Sequence, residues 1–274
     1  MGYSCKENTW EPVEHLSNVV YMVEEFEAEN NVKFVPKYYA GGDNMLALIA
    51  QSPPGTYDLI LSDGEFVQQL NLAGYIEPLD PADYPLDDML HEDFTKFPGH
   101  WDGDKLFSMM VRCGHLGVSY NTNAMSAEEA SSYDCFWKPE IAGKVGHFDW
   151  HLPTIGMMSL SNGNGAGIWD LDDAAWGAVQ ERTMSLRPQA GGFFDYGGTF
   201  NGLKNGEMQA MVGIGDWITG VLEKDGAPVG SVIPKEGGIQ FTESYSIGKG
   251  SEKVDEVKKF IQYMLSPAGQ VKSA

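Results

Sequence analysis

An aromatic ring adjoins a carboxylate at several expected strand ends and strand-to-helix junctions: Trp10-Glu11, Asp63-Gly64-Glu65-Phe66, Asp149-Trp150, Asp195-Tyr196, Asp216-Trp217 and Phe241-Thr242-Glu243. The chemistry such pairs suit is capture of an organic cation. Ring faces hold alkyl-ammonium groups by apolar contact plus a cation-π attraction of about 0.5 to 2 kcal/mol. Each carboxylate adds a charge-assisted hydrogen bond of about 1.5 to 3 kcal/mol. Any single pair is equally a buried ring beside a solvated acid, and it is the recurrence at junctions that points to a ligand.

A second pattern is His147-Phe148-Asp149-Trp150-His151, which on a strand puts two imidazoles and a carboxylate on one face. That set could form a metal site of the facial-triad kind, and a metal-dependent enzyme built on His147, Asp149 and His151 is the rival reading. Strand positions i and i+4 lie roughly 13 Å apart, so shared ligation requires the strand to end and turn after Asp149. No GxGxxG, Walker A, HExxH or GxSxG pattern is present. The Gly-rich stretch at residues 161–167 lacks the lysine and helix context of a phosphate loop and reads as a surface loop.

The 274 residues include 18 basic and 39 acidic side chains, a formal charge of −21. Binding a phosphate backbone relies on clustered Lys and Arg, so nucleic acid is not an expected partner. A cationic partner and a solvated acidic surface both fit the charge. With 12% aromatic residues the chain is not disordered, and no run approaches the roughly 18 apolar residues of a membrane span. Cys5, Cys113 and Cys135 are too few and scattered for a disulfide framework or a zinc site and are expected to be buried thiols. No apolar signal segment precedes Cys5, so export would require a targeting segment outside this sequence.

The elements that must position these residues alternate between helix and strand. Apolar spacing predicts helices over residues 16–30, 45–51, 172–186, 217–224 and 253–265, and one starting at residues 62–65. Strands are expected over residues 32–35, 57–61, 107–111, 115–120, 145–148, 208–213 and 229–233. Residues 78–101, rich in Pro, Asp and His, read as a surface excursion. Two helix-and-strand series imply two α/β lobes, with ligand chemistry at carboxyl ends of strands.

With their neighbours, these residues make the chain similar to the spermidine/putrescine-binding family of extracellular solute-binding proteins, which deliver polyamines to ABC importers. The resemblance runs over nearly the whole chain. It rests on Asn8-Thr9-Trp10-Glu11, on Gly55-Thr56-Tyr57-Asp58-Leu59-Ile60-Leu61-Ser62-Asp63 and on Leu116-Gly117-Val118. Further matches are Trp137-Lys138-Pro139-Glu140, Asn205-Gly206-Glu207-Met208 and Pro234-Lys235-Glu236-Gly237-Gly238-Ile239.

The resemblance implies an α/β, two-lobed periplasmic-binding-protein fold (type II-like) with a cleft between the lobes and two crossing segments. These fall near residues 119–121 and 231–235 and are the expected hinges. Lobe one would comprise residues 1–121 completed by 233–265, and lobe two residues 122–232, with 266–274 as the start of a missing or truncated C-terminal part. The family's lobe-one aromatic and acid fall on Trp10 and Glu11, and its post-strand contact turn on Asp63, Gly64 and Glu65. Its ammonium-gripping aromatic and acid fall on Phe241 and Glu243. In lobe two, Asp149 and Trp150 stand near the family's acidic pair, and Asp216 and Trp217 near its tryptophan. Tyr196 joins them from the junction pairs.

The reading is therefore a periplasmic or extracellular binding protein for a cationic amine such as putrescine or spermidine, presented to the membrane permease of an ABC importer. A quaternary amine is the alternative solute. The protein is expected to be a monomer with no cofactor, no metal and no catalysis, and Glu243 is expected to be the principal ammonium anchor.

Overall fold

The computed structural model describes the backbone of residues 3–6, 9–12, 17–39 and 41–273, and within that set the side chains from Val23 onward except Ala166. The chain divides into two compact units, one built from Pro12–Cys113 with Phe241–Ala274, the other mainly from Gly114–Gln240. Both are α/β.

In the first unit the strand Leu59–Asp63 pairs antiparallel with Ile239–Gly248, which also pairs with Ile76–Glu77 and Met109–Leu116. Ile60 and Ser62 face inward, and the helix Gly64–Leu72 follows without a loop. Gly64 permits that junction, because a Cβ there would meet Thr242 Oγ1 at 2.1 Å. Under the sheet, helix Val254–Leu265 buries Val257, Phe260, Ile261, Met264 and Leu265 on one stripe. Phe260 packs on Phe26 of helix Ser17–Asn30 and on Phe34, with ring centroids 5.1 and 4.6 Å apart.

Residues 32–35 do not form the expected strand. Glu27 supplies the reason: its side chain accepts from the Phe34 N–H at 2.6 Å and its backbone carbonyl from the Val32 N–H at 3.3 Å, so Glu27 rather than a neighbouring strand takes these donors. The excursion at residues 78–101 carries short helices, Leu86–Met89 and Glu92–Thr95, and ends near a small ribbon of Trp101–Asp102 with Lys105–Leu106. Helix Pro267–Ser273 packs within this first unit. Gln270 Nε2 donates to the carbonyls of Met264 and Val111, and Lys272 pairs with Glu25.

The second unit has a five-stranded sheet in the order Ala190–Phe194, Val145–Phe148, Ala210–Val212, Val118–Asn121, Val229–Val232. The first three run parallel, and Val118–Asn121 is antiparallel to both its neighbours. Helices Tyr196–Lys204 and Asp216–Lys224 start close to its strand ends. Helix His151–Ser161, strand Ala190–Phe194 and helix Tyr196–Lys204 go unseen in the sequence pattern. Pro153 stands in a first turn, where no backbone donor is required. Gly156 gives the room that Ile239 needs, since a Cβ there would meet Ile239 Cδ1 at 2.8 Å.

The chain passes between the units at residues 113–114 and 240–241, inside the long strands Met109–Leu116 and Ile239–Gly248. Residues 119–121 and 231–235, where the crossings are expected, lie within the second unit. Ser119 faces Ser231 and Asn121 faces Val229 in the second unit's own sheet, and Lys235 N–H is held by the Ser131 carbonyl at 2.9 Å. Cys135 is buried as expected, whereas Cys113 is exposed.

Candidate functional site

In the first unit, antiparallel pairing sets Glu243 directly opposite Asp63, the last residue of its strand. Directly opposed residues have Cα atoms about 4.5 to 5.5 Å apart, so the two acids are neighbours by register alone. Glu65 follows in the first turn of helix Gly64–Leu72. Asp63 stands at the N-cap of that helix, yet its carboxylate makes no capping hydrogen bond. Phe241 and Glu243 project to one side of their strand, while Thr242 is buried on the other against Gly64.

Two residues that the sequence reading passed over complete the cluster. Arg112 grips Glu243 with both arms of its guanidinium: Nη2 donates to Oε1 at 2.9 Å and Nε donates to Oε2. Tyr39 donates its hydroxyl to the Leu61 carbonyl at 2.6 Å. Burial, then the charges of Asp63, Glu243 and Glu65, push that phenol well above its ordinary range, which places Tyr39 beside all three acids. Arg112 carried one signal in the sequence: a lone base in the apolar run Met109-Met110-Val111-Arg112 needs an acidic partner. Tyr39 carried none.

The electrostatics follow from neighbouring carboxylates of which Glu243 holds the Arg112 guanidinium. Burial, then the Glu65 and Glu243 charges, push the Asp63 carboxyl up to about 7. Glu65 is solvent-exposed at its surface, and the protein around it still raises its carboxyl. Burial also works to raise Glu243, but the Arg112 hydrogen bond and charge outweigh it and hold that carboxyl below the ordinary range. The site is therefore short of positive charge at Asp63 and Glu65, while Glu243 is already engaged. A cation arriving beside Asp63 would favour its ionised form.

In the second unit the aromatic residues gather and the acids do not. Trp150, Phe148, Trp217, Tyr196 and Phe200 form a chain of rings with successive centroids 6.5, 6.0, 5.4 and 4.9 Å apart, Tyr196 and Trp217 stacked at 29°. Phe148, at a strand end, is the ring that joins Trp150 to Trp217. Asp149 is exposed, and Asp195 caps helix Tyr196–Lys204 by accepting from the Gly198 N–H at 2.7 Å. Asp216 Oδ2 lies 3.6 Å from His115 Nδ1, and Oδ1 is buried with no hydrogen-bond partner among the described residues. Trp10 and Glu11 lie in the strand Thr9–Pro12, and their side chains fall outside the described part of the structure.

The His147, Asp149, His151 constellation does not assemble. The strand Val145–Phe148 ends before Asp149 and helix His151–Ser161 starts three residues after the strand's last, so the three never share a strand face. His147 is buried against Phe193, ring centroids 5.2 Å apart, and burial lowers its pKa. His151 is exposed. Among the described residues no group of three His, Cys, Asp or Glu could hold a metal ion, and no helix is long and apolar enough to cross a membrane.

Residues 21–274 match the family described as bacterial extracellular solute-binding protein. The chain is 27% identical over 248 residues to spermidine/putrescine-binding periplasmic protein 1 of Haemophilus influenzae, covering 89% of this chain and 66% of that protein. It is 25% identical to a putrescine-binding periplasmic protein of Escherichia coli, covering 89% of this chain and 70% of the relative. Among solved structures, the Tp0655 lipoprotein of Treponema pallidum superposes with a TM-score of 0.79 at 19% identity, over 93% of this chain and 79% of that one, a likeness of fold. These relatives are binding proteins rather than enzymes, and with the family match spanning residue 21 to the last residue, the chain belongs to the bacterial extracellular solute-binding protein family.

Proposed function

We propose that the protein captures a cationic amine of the polyamine class, as a monomer outside the cytoplasm, and hands it to the permease of an ABC importer. The observation that carries this reading is the acidic cluster of the first unit, where Asp63, Glu65 and Glu243 lie close enough for their charges to act on Asp63 and, among the described residues, Arg112 pairs with Glu243. A primary ammonium fits because it brings positive charge and several hydrogen-bond donors to this group of carboxylates. The names of the Haemophilus and Escherichia relatives support the same solute class.

A thermal-shift panel tests it. Ligand that binds only the folded state stabilises by RT ln(1 + [L]/Kd), about 2.7 kcal/mol at a hundredfold excess over Kd. Putrescine or spermidine should raise the melt, and acidic or neutral amino acids should not. A melt that moves only with anions or sugars would overturn the reading. The ring chain through Trp150, Phe148, Trp217 and Tyr196 favours a second reading, a quaternary amine, which offers no donors to carboxylates and is held by ring faces. A betaine or choline arm in the panel separates the two.

A further inference from the structure

The first unit contains its own organic cation. Arg112 is a planar guanidinium presented to Glu243 through two parallel hydrogen bonds, the geometry in which guanidinium and carboxylate bind most strongly. Its side chain is 45% exposed and that of Glu243 16%, so the guanidinium reaches solvent while the carboxylate it holds is largely buried. Glu243 is at the same time the register partner of Asp63, whose carboxylate makes no hydrogen bond to the helix start it precedes.

We infer that Arg112 is a specificity-determining residue: it occupies Glu243 as a built-in counter-cation, steers the solute's ammonium to Asp63 and Glu65, and limits how much positive charge the cluster accepts. The inference rests on the amine-binding reading and deepens it. If Arg112 neutralises Glu243, removing Arg112 exposes another carboxylate to the solute. Removing Glu243 instead leaves a guanidinium that repels the solute. Removing both restores the original balance.

The test is a double-mutant cycle by calorimetry, with putrescine and spermidine as probes, on wild type, Arg112→Gln, Glu243→Gln and the double variant. Arg112→Gln should tighten binding by about tenfold, more for spermidine than for putrescine, and Glu243→Gln should weaken it by about tenfold, since each changes the charge facing the solute by one unit. The double variant should return to within about threefold of wild type, because the two opposite changes of charge cancel. If Glu243 is instead the direct ammonium anchor, the double variant stays as weak as Glu243→Gln, and the inference is overturned. Weaker or unchanged binding in Arg112→Gln also overturns it. Circular dichroism melts of the four proteins separate these outcomes from misfolding, with Arg112→Lys as a milder variant that keeps the charge but loses the two-armed grip and should fall between wild type and Arg112→Gln. If neither wild type nor any variant binds either amine, the amine reading itself falls and the inference with it. Amine binding by wild type with the wrong cycle sinks the inference alone.

Discussion

Where the first unit pairs Leu59–Asp63 with Ile239–Gly248, residues far apart in sequence meet with their carboxylates close together, whereas in the second unit the acids Asp149, Asp195 and Asp216 stand singly at or near helix starts. Asp195 caps a helix, Asp216 stands in a first turn facing His115, and Asp149 is exposed. The rings divide the other way: Trp150, Trp217 and Tyr196 come together through Phe148, and beside the first unit's acids the ring that stands out is Tyr39. The same dipeptide pattern therefore yields two different surfaces. A local pair of acid and ring does not define a cation site, because the backbone donors of a helix start compete for the acid. Register between strands brings distant acids together instead, because a strand ladder consumes backbone groups and leaves side chains to interact with one another.

Asp63→Asn is the largest expected effect and would break the comparison most directly. If Asp63 meets a desolvated ammonium, removing its charge costs about 2 to 5 kcal/mol of binding, roughly thirtyfold or more in Kd. Calorimetry with putrescine measures it. Unchanged affinity would mean that the first unit's acids are surface charge like those of the second.

The pH dependence tests the same cluster without ligand. Asp63 is pushed up to about 7 in the folded protein by burial and by Glu65 and Glu243, above its ordinary value of 3.8. The folded state thus retains a proton that the unfolded state gives up, so stability from this group falls as pH rises from about 4 to about 7 and is flat above that window. The ligand-free melting temperature should decline across that window in wild type and less so in Asp63→Asn. Amine binding should strengthen over the same interval, with protons released on binding below pH 7, readable in buffers of different ionisation heat. A melt that does not respond to Asp63→Asn would place that carboxyl in ordinary solvent.

Much of the fold was legible because it follows from periodicity. The stripe of helix Val254–Leu265, the helix Ser17–Asn30 and the strands Val145–Phe148 and Val229–Val232 all follow the apolar spacing of their residues. Helices His151–Ser161 and Tyr196–Lys204 were hidden by Pro153, Gly156 and Gly197-Gly198, residues that weaken a helix in general and are tolerated here by position and packing. The unit boundaries leave no mark for a related reason: strands Met109–Leu116 and Ile239–Gly248 continue through both, so the strand pattern does not break there. Within the site, Asp63, Glu65, Phe241 and Glu243 could be found from local motifs. The Arg112 pairing could not, because it depends on bringing together two strands 131 residues apart in sequence.

Gly64→Ala probes the junction that holds the first unit's acids. The new Cβ would meet Thr242 Oγ1 at 2.1 Å, so either Thr242 or the helix start must move. Overpacking of this kind typically costs about 1 to 3 kcal/mol, more than the alanine's gain in helix propensity of about 0.5 to 1 kcal/mol. Chemical denaturation should show a net loss of stability, and putrescine affinity should fall with it because Asp63 and Glu65 flank the displaced residue. A stabilised variant would show that the junction is loose.

The smallest effect expected is also the sharpest on the second unit. Asp195 accepts from the Gly198 N–H at 2.7 Å and so supplies one of the acceptors that the start of helix Tyr196–Lys204 needs. Removing such a cap costs about 0.5 to 2 kcal/mol, and serine, which caps about as well, should restore it. Asp195→Ala should therefore lower stability by about 1 kcal/mol, Asp195→Ser by only a few tenths, with neither altering putrescine affinity by more than about twofold. Asp195→Asn separates the roles cleanly, since asparagine keeps the capping oxygen and loses the charge. Unaltered stability with unaltered affinity in Asp195→Asn is what a structural acid predicts. A fall in amine affinity at constant stability would make Asp195 a charge seen by the solute, and the division between an acid-bearing unit and a ring-bearing unit would no longer hold.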